Sequence, residues 1–139
     1  MKNGELRLIS TELSGPNGLA FSPDEKYLYV TNADAKKAAV MRYEAKADGT
    51  LSNGQVFFNV TKGNGFDLDG MKVDGQGNLY VTGPGGVWII SRSGKHLGMI
   101  KAPELPANVA WGDGDGKTLY MTAETGLYRI RLSIPGVRP

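Results

Sequence analysis

One pattern recurs three times along the chain and constrains its fold more than any other feature. The first copy is Pro16-Asn17-Gly18-Leu19-Ala20-Phe21, a turn around Asp24, then Tyr27-Leu28-Tyr29-Val30-Thr31. The second is Leu68-Asp69-Gly70-Met71-Lys72-Val73, a turn at Asp74-Gly75, then Asn78-Leu79-Tyr80-Val81-Thr82. The third is Ala107-Asn108-Val109-Ala110-Trp111, a turn over Gly112 to Gly116, then Thr118-Leu119-Tyr120-Met121-Thr122. The Leu-Tyr pairs begin at 28, 79 and 119. A period of about 40–50 residues with several strands per unit is that of a propeller blade.

Each unit continues with a third apolar segment: Val40 to Tyr43, Val87 to Ile90 and Leu127 to Ile130. Fourth segments follow at Gln55 to Val60 and His96 to Ile100, while the third unit stops after Leu132. The alternating stretch Glu5-Leu6-Arg7-Leu8-Ile9-Ser10 precedes the first repeat with no unit of its own. The pattern therefore predicts an all-β single domain over 1–139, three four-stranded blades, with a strand near 5–10 closing the blade formed by about 106–132. Large residues on both strand faces, Leu28 and Val30 against Tyr27 and Tyr29, suit blades stacked face to face. Ala33 to Lys46 has high helix propensity, yet its register with the other units predicts a strand.

Composition narrows the function. Sixteen basic against 14 acidic residues leave a net charge of +2, scattered along the chain, so no nucleic-acid or anionic-membrane partner is expected. The absence of Cys removes disulfides, thiolate metal sites and Cys nucleophiles together. No apolar run approaches the roughly 20 residues of a membrane span, and no leader-like segment opens the chain, which predicts a cytoplasmic protein. His96 stands alone, excluding multi-His metal sites, and it reads as a surface residue. No Ser-His-Asp spacing is present. Asp113-Gly-Asp115-Gly lacks the later ligands of a calcium loop and reads as a hairpin turn. Gly83-Pro84-Gly85-Gly86 lacks the Lys and helix of a phosphate loop and reads as another. Asn59-Val60-Thr61 fits the glycosylation pattern in form alone.

In a propeller the residue just before each innermost strand projects towards the central channel. Asn17, Asp69 and Asn108 hold that place, each with an oxygen on a short side chain. Converging carboxylate and amide oxygens suit a hard divalent cation such as Ca²⁺; the alternative is that they cap turns. Asp67, two residues from Asp69, is either a further ligand or base, or a solvated loop carboxylate.

The Pro-Asn-Gly run at 16–18, the Asp-Gly-Met run at 69–71, Asn78 to Trp88, Pro106 to Trp111 and Leu127 to Leu132 together resemble the gluconolactonase family, also called the SMP-30 or regucalcin family. The resemblance covers nearly the whole chain, but only the C-terminal half of a family member. It implies half of a six-bladed propeller and one divalent cation in the channel, Ca²⁺ foremost, with Zn²⁺, Mn²⁺ or Mg²⁺ as alternatives. It also implies hydrolysis of sugar lactones. By the same resemblance Asn17 and Asp69 are metal ligands and Asp69 the general base. The family's Glu ligand and its substrate-contacting Arg and Asn have no counterpart. Three blades would leave two apolar faces open, which predicts a homodimer that completes the ring. The alternatives are a non-catalytic binding or scaffold module and a piece of a longer lactonase.

Overall fold

The computed structural model describes residues 4–60 and 68–137. Among the described residues, eleven strands make three antiparallel sheets in chain order. The first is β1 (Pro16–Phe21), β2 (Tyr27–Asn32), β3 (Ala39–Ala45) and β4 (Leu51–Asn59). The second is β5 (Met71–Val73), β6 (Leu79–Gly83), β7 (Gly86–Ile90) and β8 (His96–Lys101). The third is β9 (Pro106–Gly112), β10 (Thr118–Ala123) and β11 (Leu127–Arg131). Each sheet is a meander whose strands pair in the order in which they occur, as in a propeller blade.

The repeat sets the register. Leu28, Leu79 and Leu119 lie opposite Phe21, Val73 and Trp111 on the innermost strands. Residues 33–46 form no helix, and Ala39–Ala45 is the strand β3. Pairing along both edges of β3 and the burial of Ala39, Val40 and Tyr43 outweigh local propensity. Pro84 and Gly85 form the tight turn joining β6 to β7, where Gly85 has φ 82°. Asp113 to Gly116 forms the hairpin turn between β9 and β10.

Alternating side chains join neighbouring blades. Tyr29 and Val40 meet Met71, Leu79, Val81 and Ile90 between the first two sheets. Tyr80 and Val87 meet Val109, Leu119 and Met121 between the second and third. Burying side chains of this size contributes about 2 kcal/mol each relative to exposure. Tyr80 also meets Trp111 edge-on at 5.0 Å, and the Trp111 Nε1–H donates to the Val73 carbonyl at 3.1 Å. The C-terminal run ties these blades again, the Val137 N–H donating to Val73 and the Gly75 N–H to Pro135.

The third blade departs from expectation: its sheet has three strands among the described residues, and 5–10 carries no strand. The reason is position. Ile9 lies in a hollow with Phe21, Leu28 and Leu51, and Leu13 packs on Leu28, Val30 and Tyr43. The N-terminal segment therefore lies on the outer side of the first blade, with the second blade between it and β11.

Candidate functional site

β1 and β9 each carry a β-bulge facing a threonine near their start, and Asp69 and Gly70 make the matching arrangement just ahead of β5. Between the pairs Pro16↔Asn32 and Leu19↔Val30, the two residues Asn17 and Gly18 face Thr31 alone. The Asp69 N–H donates to the Thr82 carbonyl and the Thr82 N–H to the Gly70 carbonyl, so Asp69 and Gly70 face Thr82. In the third blade Asn108 pairs with Thr122 and Pro106 with Ala123, leaving Ala107 as the extra residue. Bulges re-aim side chains and are common beside active sites. Asn17 and Asp69 are thus the first members of their bulges, whereas Asn108 is the second of its own and stands in register with Gly18 and Gly70. The repeat as read from the sequence hides that one-residue offset.

The bulges are stitched into one seam. The Gly18 N–H donates to the Asp69 carbonyl at 3.1 Å, and the Gly70 N–H to the Ala107 carbonyl at 2.9 Å. A Cβ on Gly18 would lie 2.2 Å from the Asp69 carbonyl oxygen, and one on Gly70 would lie 2.2 Å from Asn108 Oδ1. Glycine is therefore required at both close approaches. The Asn108 carboxamide occupies the space beside Gly70, next in the chain to Asp69, while accepting from the Val109 N–H at 2.9 Å. Thr31 Oγ1, fully buried, sits between the Gly18 and Asp69 carbonyls at 3.2 and 2.9 Å. Thr82 Oγ1 repeats this between Gly70 and Ala107, at 3.0 Å to each. Neither threonine was singled out from the sequence, although both close the recurring Leu-Tyr strand.

Asp69 is half-buried, while Asn17 and Asn108 are exposed. Asp69 opens into a hollow of about 320 Å³ shared with Leu105, Pro106, Ala107, Ala123 and Glu124. Glu124 brings a second carboxylate that sequence reading missed, since it falls in an irregular turn outside the repeat. Nearby Glu104 is already engaged: the Thr125 hydroxyl and N–H donate to it and hold its carboxyl below the usual range. Asp67 lies outside the described residues. His96 is exposed on β8, 5.3 Å from the Trp88 ring and remote from this seam in the sheet order.

Among the described residues no three His, Cys, Asp or Glu side chains cluster. A cation on this seam would be held by one carboxylate and two carboxamide oxygens. That all-oxygen set fits a hard ion such as Ca²⁺ or Mg²⁺, with further coordination positions left for water or substrate.

The family profile described as "SMP-30/Gluconolactonase/LRE-like region" matches residues 1–125. The gluconolactonase of Zymomonas mobilis is 38% identical over 137 residues, which cover 93% of this chain and 38% of that protein. A solved gluconolactonase from Xanthomonas campestris superposes with a TM-score of 0.75 at 31% identity, over 91% of this chain and 39% of that one. A calcium-binding regucalcin from Agrobacterium tumefaciens shares the fold at a TM-score of 0.83 and 20% identity, over 98% and 54% of the two chains. The chain thus spans about two fifths of the length of these two gluconolactonases.

Proposed function

Because the chain belongs to the SMP-30/gluconolactonase/LRE-like family, we propose that it hydrolyses sugar lactones at the Asn17, Asp69 and Asn108 seam, with a divalent cation bound there. The observation that carries this reading is the linkage of the three positions by the Gly18 to Asp69 and Gly70 to Ala107 hydrogen bonds. The named activities of the gluconolactonase relatives supply the substrate class.

In this reading Asn17 and Asn108 each offer a carboxamide oxygen and Asp69 a carboxylate oxygen to the ion, Ca²⁺ foremost. When bound, the cation polarises the lactone carbonyl and stabilises negative charge on its oxygen. Asp69 accepts the proton of the attacking water as its oxygen bonds to the carbonyl carbon. The bond from that carbon to the ring oxygen then breaks, and the proton returns to that oxygen to give the open hydroxy acid. The bulge and its Thr82 contacts hold the Asp69 backbone in place, which favours proton transfer in a fixed geometry.

The test is a pH-stat assay of several aldonolactones with and without Ca²⁺, Mg²⁺, Mn²⁺ and Zn²⁺, beside calorimetric Ca²⁺ titration. Asp69→Asn is expected to lower turnover by at least a hundredfold, within the usual range for loss of a general base. Ca²⁺ at a hundredfold excess over Kd is expected to raise the parent's stability by about 2.7 kcal/mol, and EDTA to reverse it. Full turnover and an unchanged Ca²⁺ response in Asp69→Asn would refute the site. A second reading is a half-length module that binds a cation or sugar acid without turnover. Calcium binding with no hydrolysis of any lactone would select it.

A homodimer belongs to the same proposal. Leu19 and Phe21 on the first blade and Leu127 on the third are exposed at 58%, 46% and 73%. Two copies joined at both open ends would cover these faces and bring six blades around one channel.

A further inference from the structure

The seam lies where the innermost strands begin; a hollow of about 470 Å³ lies where two of them end, between the first and second blades. Ser22 and Asp24 reach it from the turn after β1, Gln76 from the turn after β5, and Arg92 from the turn joining β7 to β8. These turns touch. A Cβ on Gly77 would lie 3.3 Å from Arg92 Cβ and 3.8 Å from Pro23 Cδ. The remaining wall is the face that the first blade turns towards the second, here Tyr27, Tyr29 and Arg42.

Arg42 departs from the apolar pattern of that face. It stands two residues along β3 from the buried Val40 and so shares Val40's side of the strand, between the blades. Its guanidinium carbon lies 4.7 Å from the Tyr27 ring centre and 5.3 Å from that of Phe57, a cation held by two aromatic rings. Arg42 Nε is buried and has no hydrogen-bond partner among the described residues. Burial pushes the neighbouring Tyr29 hydroxyl up, and the Arg42 charge acts against that push.

No carboxylate answers this cation. The ion pairs among the described residues are Arg7 with Glu5, Lys26 with Asp24 and Arg131 with Asp115, so neither Arg42 nor Arg92 has one. Asp24 is the carboxylate lining the hollow, and it is already committed: it accepts from the Ser22 hydroxyl at 2.7 Å and the Lys26 N–H at 3.3 Å, with the Lys26 ammonium 3.6 Å away. Two guanidiniums therefore share one hollow without a counterion. Taking a guanidinium partly out of water with a donor unspent is costly, whereas its planar fork matches a carboxylate or phosphate.

We propose that this hollow is a ligand site separate from the seam, in which Arg42 and Arg92 bind the carboxylate or phosphate group of a small polar molecule. Arg42, fixed between two rings, sets the direction of approach, and Arg92 supplies the second charge from the wall of the other blade. The site needs neither the seam nor a second copy, because both blades that form it are present in the chain.

The test is calorimetric titration with inorganic phosphate and, separately, with gluconate, in EDTA at low salt, with neutral glucitol as the control. One site per chain is expected for at least one of the two anions, and none for glucitol. Arg42→Lys, which keeps the charge and loses the fork, and Arg92→Gln are each expected to weaken binding about tenfold, as for loss of a charge-assisted hydrogen bond. Arg92 is exposed, so Arg92→Gln tests the site even where a change at Arg42 disturbs packing. Arg129→Gln, a loss of charge on the exposed side of β11, should change binding less than about twofold, since solvent screens distant surface charge. Binding of phosphate alone would identify a phosphorylated ligand, and of gluconate alone a carboxylate ligand. Failure of both anions to bind below about 10 mM would overturn the site, as would an equal loss in Arg129→Gln. Binding that survives the changes at Arg42 and Arg92 and vanishes in Asp69→Asn would belong to the seam and overturn the hollow.

Discussion

Thr82 and Thr122 occupy the same place in the repeat and lead different lives. Thr82 is fully buried, with its hydroxyl between two carbonyls at 3.0 Å. Thr122 is exposed and reaches one carbonyl, that of Asn108, at 3.5 Å. The turn acids differ in the same way. Asp74 is fully buried and accepts from the Gln76 and Asn78 backbones, the Asn78 side chain and the Tyr80 hydroxyl. Asp113, in the corresponding turn of the third blade, accepts from Thr118 and Tyr120 in the open. Burial, and then the Asp74 carboxylate, push the Tyr80 hydroxyl up to about 12. The middle blade has a neighbour on each side and the third has one. A blade's own sheet makes the strand, while the adjoining blade supplies the desolvation that makes each polar contact costly to lose.

The sharpest way to break the comparison is at the two acids. Asp74→Ala would leave several buried donors unsatisfied and is expected to cost about 3 kcal/mol in urea unfolding, against less than about 1 kcal/mol for Asp113→Ala. Equal losses would show that burial is not the deciding factor. Gly18→Ala pushes a Cβ against backbone, 2.2 Å from the Asp69 carbonyl oxygen and 2.8 Å from Gly70 Cα. Overpacking of this kind should cost roughly 2–3 kcal/mol, whereas Gly114→Ala, with nothing within 4 Å of the added Cβ, should stay within about 0.5 kcal/mol. Thr82→Val removes a buried hydroxyl and is expected to cost about 1–2 kcal/mol. Thr122→Val should be near neutral at concentrations where the chain is monomeric, and its cost should rise as copies associate.

The smallest expected effect is electrostatic. Hydrogen bonds from the Arg131 guanidinium and the Lys117 backbone hold the exposed Asp115 carboxyl down at about 2, and those from Thr118 and Tyr120 lower Asp113. A carboxyl depressed by folding stabilises the fold fully above its unfolded value, and the benefit is lost as pH falls through the folded one. The melting temperature should therefore decline slightly between pH 4 and 2, and Asp115→Asn should flatten that part of the profile. A steeper decline in the variant would reverse the sign of the contribution.

Much of this was legible in the sequence because a repeat reports on itself. The three Leu-Tyr strands, the third and fourth segments, and the override of helix propensity at β3 all follow from register among copies. The candidate site was legible less fully. Asn17 and Asp69 were placed just before their strands, and in the structure each is the first residue facing its threonine. Asn108 stands one step further along, because a bulge adds a residue without disturbing the hydrophobic pattern on either side of it. The two threonines were visible as part of the repeat, but their role depends on carbonyls supplied by the next blade. Glu124 lies outside the repeat and gave no signal.

The sequence by itself determined the class of fold, the number of blades, the turn positions and the Asn and Asp residues at the innermost strands. These depend on alternation and local turn chemistry, which act over a few residues. Tertiary structure alone decided that Gly18 meets the Asp69 carbonyl, that Asn108 lies against Gly70, that Asp74 is buried while Asp113 is not, and that 5–10 lies away from β11. Each of these is a contact between blades. Which residue a blade receives from its neighbour depends on the angle and offset at which the sheets stack, and no spacing along one chain encodes that directly.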